Sequence, residues 1–116
     1  MRIRIICEAA GVDVAAELNA SVTAEAFGAI LPLEAAAKRW GDELYFTVPM
    51  HQELDGAVAK VGSGDVGFWP TGDAVCVFFG QQPVSPVNPL GRVQGDATVF
   101  RRVDEGQTVR VEALPG

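Results

Sequence analysis

The chain has one histidine, His51, and imidazole is the side chain that most readily exchanges a proton near neutral pH. It could serve as a lone acid or base, or share a metal with Glu53, Asp55, Asp65 or Asp73. Those carboxylates have none of the short fixed spacings that metal-ligating motifs show, so neither a metal nor another cofactor is expected. Gly62-Ser63-Gly64-Asp65-Val66-Gly67 matches GxGxxG. The dinucleotide fingerprint needs a helix next, to hold the pyrophosphate at its N-terminus. A strand and then Trp69-Pro70 follow instead, so these glycines are read as a turn. Ser21, Ser63 and Ser85 lie in no GxSxG elbow, and no hydrolytic triad can be assembled. Cys7 and Cys76 sit in apolar, strand-like runs without a CxxC, which predicts buried, reduced thiols acting as small hydrophobes. The catalytic residues, if there are any, are not legible here.

Ring contact is the chemistry better supplied. In "GSGDVGFWPTGDAVCVFFGQQP", residues 62–83, Phe68, Trp69, Phe78 and Phe79 cannot share one interior if strands alternate. Phe68 and Phe79 are the core candidates. Trp69 and Phe78 would then point outward beside Tyr45, there to be partly exposed, covered by the proline-rich loop, or buried in a partner. That loop, Gly80 to Pro89, spaces Pro83, Pro86 and Pro89 every third residue, the period of a polyproline II helix. Because a strand follows it, it is read as a rigid loop crossing a barrel rather than as a ligand for another domain.

The elements that must position these residues follow from period. Arg2 and Arg4 alternate with Ile3, Ile5 and Cys7, and Val12, Val14, Ala16 and Leu18 alternate with polar or small residues, which predicts a hairpin turning at Gly11. "SVTAEAFGAILP" predicts a short helix, capped by Ser21 or Thr23 and halted by Pro32. Gly41-Asp42 is a hairpin turn, after which Leu44, Phe46 and Val48 face the core while Tyr45 and Thr47 face away. A turn at Pro70-Thr71-Gly72-Asp73 separates a strand carrying Val66 and Phe68 from one carrying Val75, Val77 and Phe79. A brief strand at "GRV", one or two helical turns around Thr98–Arg102, and a last strand with Val109, Val111 and Ala113 complete the chain. The fold class expected is mainly β: a closed antiparallel barrel with one or two short helices, forming a single domain over residues 1–116.

Composition narrows the partners. A formal charge of −6 without any Lys/Arg run argues against nucleic acid. No apolar segment approaches the roughly 20 residues of a bilayer span, and "MRIRIIC" lacks the h-region of a signal peptide. No membrane association and a cytoplasmic location are the resulting expectations.

Three stretches, "YFTVP", "GDVGFWPTGDAVCVFFG" and "VNPLGRV", resemble the small cyclophilin-like family of bacteria and archaea, whose function is unknown. Gly64, Asp65, Trp69, Pro70, Gly72, Ala74, Cys76, Phe78, Phe79 and Gly80 fit that family's G-D-x-x-Y-W-P-P-G-N-A-L-C-I-F-F-G pattern. Val87, Asn88, Gly91 and Val93 fit its V-N-x-I-G-K-V, while Phe68, Thr71, Asp73, Val75, Val77, Pro89, Leu90 and Arg92 depart, mostly conservatively. The resemblance implies a cyclophilin-like barrel binding a peptide or small molecule in an outer groove, with Tyr45, His51, Trp69, Phe78, Asn88 and Arg92 as the candidate contacts. It also implies, as an alternative, a weak peptidyl-prolyl isomerase; a third reading, a homo-oligomeric interaction module, comes from the outward aromatics and the low charge around Val66–Val87. Cyclophilin isomerases polarise the proline amide with an arginine on the strand matching Glu43–Met50, and here that segment has none. Arg39 or Arg92 would have to reach in from another strand.

Overall fold

The computed structural model describes residues 1–115. Strands β1 (Arg2–Cys7) and β2 (Val12–Leu18) form the expected hairpin, with Ile3 opposite Ala16 and Cys7 opposite Val12. Helix α1 (Val22–Ala29) starts where the Ser21 hydroxyl accepts the Ala24 amide hydrogen at 3.1 Å, and its Phe27 enters the core. Strands β3 (Leu33–Ala36) and β4 (Lys38–Arg39) lead through the Gly41-Asp42 turn into β5 (Glu43–Thr47). Strands β6 (Asp65–Trp69) and β7 (Ala74–Phe78) flank a 3-10 turn over Pro70–Gly72. β8 (Asn88–Val93), a 3-10 segment over Ala97–Arg102 and β9 (Thr108–Ala113) follow.

All nine strands belong to one antiparallel sheet in the order β3-β9-β1-β2-β8-β6-β7-β5-β4. Its two edges, β3 and β4, are consecutive in the chain with only Ala37 between them, so the sheet curls into a nearly closed barrel. Ala37 bridges the seam through backbone hydrogen bonds to Gln107 and Gly106, each 2.8 Å. The interior holds Ile3, Ile5, Leu44, Phe46, Phe68, Val75, Val77, Phe79 and Phe100, all essentially inaccessible to water. Phe79 stacks on Phe100 with centroids 6.4 Å apart, and the Arg39 guanidinium lies 5.2 Å from the Phe79 centroid.

One boundary and one side-chain exposure differ from expectation. β8 begins at Asn88 rather than at "GRV", so Pro89 lies within a strand; the ladder to β6 is irregular between Val66 and Gly67, where a residue without an amide hydrogen is tolerated. Ala113 is exposed at the end of β9, while Val109 and Val111 are buried as expected. Both cysteines are free and buried.

Candidate functional site

Alternation along β5 and β7 sends one set of side chains into the barrel and the other outward. On the outer side Cys76, Phe78 and Val87 form a second small core, against which Tyr45, Val61 and Trp69 pack. Phe78 is fully buried there, so of the fates open to it, partial exposure is excluded and cover by the chain's own loops is what occurs. The cover consists of the proline-rich loop and the segment before β6. They are joined by the Val58–Val87 bridge and by the Gln82 side-chain amide, which bonds both the N–H and the carbonyl of Val61 at 2.9 Å.

The cover leaves a cavity of about 280 Å³, lined by Trp40, Glu43, Tyr45, Trp69, Cys76, Pro83, Val84, Ser85 and Val87. Trp69 reaches it because its ring folds back over Gly72, where even a Cβ would come within 2.6 Å of the indole Cε3. Its Nε1–H donates to the Ser85 hydroxyl at 2.8 Å, fixing the ring across the cavity wall. Glu43 stands two residues before Tyr45 and shares its outward face. Only 7% exposed, it is the one charged residue on the lining. Burial pushes its carboxyl above the usual carboxylate range, opposed by a hydrogen bond with the Cys76 thiol. Burial also raises the Cys76 thiol strongly, with the neighbouring Glu43 charge adding to it, so Cys76 is no thiolate nucleophile at neutral pH.

A raised carboxyl pKa has a measurable consequence. Between the ordinary carboxylate pKa and the raised folded-state value the native protein holds more protons than the unfolded chain, so stability falls as pH rises through that window. Glu43→Gln is therefore expected to be more stable than the native protein above the window. The difference should shrink toward zero below it, as read by urea unfolding at a series of pH values. A constant difference at every pH would contradict this account.

Of the residues singled out from the sequence, Tyr45 and Trp69 line the cavity and Phe78 lies in the small core beside it. The other three stand apart. His51 is 73% exposed past the end of β5, its Nδ1 3.0 Å from Asp73 Oδ1. The hydrogen bond and charge of Asp73 raise its pKa. Asn88 is 1% exposed, and its amide is spent on Thr23, Glu53 and Asp55. Arg92 pairs with Asp65 and donates to the Ser63 carbonyl at 3.0 Å. Arg39 donates to the carbonyls of Gly41, Arg101 and Val103, and like Arg92 it is absent from the cavity lining. Sequence reasoning missed Trp40, Glu43, Cys76 and Ser85 as lining groups. The signal for Glu43 was present in its i, i+2 relation to Tyr45. Cys76 could be seen as buried but not as outward, and Trp40 and Ser85 arrive from loops whose paths carry no periodicity. Among the described residues no group of three or more His, Cys, Asp or Glu is placed to hold a metal ion.

A nearly closed antiparallel barrel with an aromatic recess on its outer wall defines the class of protein. The chain matches the family described as Cyclophilin-like over residues 1–112, and it belongs to that family. It is also similar to a hypothetical protein from Archaeoglobus fulgidus solved in solution, at 35% identity and a TM-score of 0.82, covering 97% of this chain and 93% of that one. A likeness of fold extends to McbB, solved in complex with tryptophan, at 19% identity and a TM-score of 0.79. There 98% of this chain matches 46% of the McbB chain. No curated protein matches the chain. Among the described residues no helix is long and apolar enough to cross a membrane.

Proposed function

We propose that the barrel binds a small molecule or a peptide side chain in the recess between Trp40, Tyr45, Trp69 and residues 83–85. The observation that carries this reading is the cavity itself: about 280 Å³, walled by three aromatic side chains and holding a buried carboxyl. Its size falls just below the roughly 300–1,000 Å³ usual for small-molecule sites, which suits a single ring system or one side chain. Catalysis of prolyl isomerisation has less support, since both arginines considered as donors are engaged away from the recess. A cytoplasmic site of action is part of the proposal, in keeping with two free, buried thiols.

The two tryptophans report directly on the recess. Indole, benzamide and a short proline peptide, titrated to millimolar concentration, should shift the indole N–H resonances of Trp40 and Trp69. Indole is among the probes because McbB is solved with tryptophan. The Arg92 side-chain signal should stay in place. Unmoved indole signals for all three probes, and for an organic cation of similar size, would end the binding reading.

One observation favours a second reading. Trp40 is 53% and Val84 67% exposed, and both stand at the recess. Apolar exposure of this kind is what a self-association surface presents. Sedimentation at rising concentration should then give a dimer that Val84→Asp abolishes, whereas a strict monomer would remove this alternative.

A further inference from the structure

Resting on the binding reading above, we propose that the recess selects an organic ammonium group, held against the faces of Trp40, Tyr45 and Trp69 with Glu43 as its counter-charge. Tryptophan and tyrosine are the side chains whose ring faces best attract a cation, and a cluster of them is how quaternary ammonium groups are commonly recognised. Here Trp40, Tyr45 and Trp69 line the same recess as the Glu43 carboxyl.

The charge pattern points the same way. Glu43 is 7% exposed, and no charged neighbour contributes to its titration. Among the described residues no lysine, arginine or histidine lines the recess. An anionic ligand would therefore meet a carboxyl and no cation, and a neutral apolar one would strip the remaining water from Glu43 without replacing it. A cation compensates that loss. A methylated ammonium presents both a charge and an apolar surface to such a wall, and the Trp69 ring it would meet is held in place by the Nε1–H bond to Ser85. The net charge of −6 favours the approach of cations as well.

The titratable groups on the lining are Glu43, Tyr45 and Cys76; Trp40, Trp69 and residues 83–87 contribute none. Cys76 stays a thiol. Affinity for the cation should accordingly rise with pH through the titration of Glu43, because the ligand favours the carboxylate over the acid.

Choline and its neutral carbon isostere 3,3-dimethylbutan-1-ol share a shape and differ in charge. Both are titrated into the full chain at constant ionic strength, read by tryptophan fluorescence and by the Trp69 indole N–H. Choline is expected to bind at least about tenfold more tightly. Glu43→Gln should remove most of that ratio, weakening choline while the isostere binds as well as before or better, since no carboxylate is left to desolvate. Trp69→Leu, which keeps an apolar side chain but removes the ring face, should weaken choline more than the isostere and serves if the first variant folds poorly. An isostere that matches choline, or a ratio unchanged in both variants, overturns the ammonium assignment. Should choline fail while indole or benzamide still shift the tryptophan signals, the ammonium assignment falls and the binding reading stands. Failure of every probe removes both.

Discussion

Gly91→Ala should cost at least about 3 kcal/mol of unfolding free energy, among the largest effects of any single methyl group in this protein. Gly91 pairs with Leu18 of β2 on one side and Val66 of β6 on the other. A Cβ there would overlap the Glu17 carbonyl oxygen and lie 2.9 Å from its carbon and 3.0 Å from the Leu18 Cα. These are backbone atoms of a paired strand and have no rotamer to turn away, so the strands must part. β8 is also the strand that joins the β3-β9-β1-β2 half of the sheet to the β6-β7-β5-β4 half, so the damage falls where the barrel can least absorb it. Gly106→Ala is the control. Its added methyl meets open space, and only the roughly 1–2 kcal/mol of holding an alanine at φ +90° should be lost. Equal losses in urea unfolding would show that close approach at Gly91 is not what matters.

Asn88→Ala is expected to remove about 2–3 kcal/mol and to loosen the segment after β5. The Asn88 carbonyl oxygen accepts the Asp55 N–H at 2.9 Å, and its amide donates to the Glu53 carbonyl at 2.8 Å and to the Thr23 hydroxyl at 3.2 Å. Each such bond contributes only about 0.5–1.5 kcal/mol net, but truncation also leaves polar partners without a mate. Hydrogen exchange at the Asp55 amide should accelerate with the loss of stability. Asn88→Asp, which keeps the acceptor for Asp55 but loses both donations, should protect that amide better than Asn88→Ala does. Stability within about 0.5 kcal/mol of the native protein would contradict this positioning role and return Asn88 to the pool of ligand contacts.

The contrast between Asn88 and Glu43 explains how much of the site could be read in advance. Family resemblance placed Asn88 among candidate contacts. Its polar atoms are instead consumed by Thr23 and by the 53–55 segment, residues far away in sequence that no local pattern connects to it. Glu43 looked like an unremarkable polar residue after a turn. It becomes the centre of the recess because residues 83–87, forty positions later, fold back over the outer face of β5 and β7 and take it out of water.

What the sequence by itself determined is whatever depends on period and local stereochemistry. The inward sets Leu44-Phe46-Val48 and Val75-Val77-Phe79, a cap at Ser21 or Thr23, the Gly41-Asp42 turn and an antiparallel barrel follow from alternation, capping and turn chemistry, while the cyclophilin-like class rests on the resemblance of three stretches to that family. Side chains of a strand must take turns between its two faces. Only the tertiary structure decided what covers the outer face, because that depends on where non-periodic loops come to rest. The Val58–Val87 bridge, the Gln82–Val61 bonds and the Trp69–Ser85 bond set that path. Long-range contacts of this kind thus determine that Phe78 is buried and that a recess remains beside it, while the pairing of β5 with β7 brings Cys76 next to Glu43.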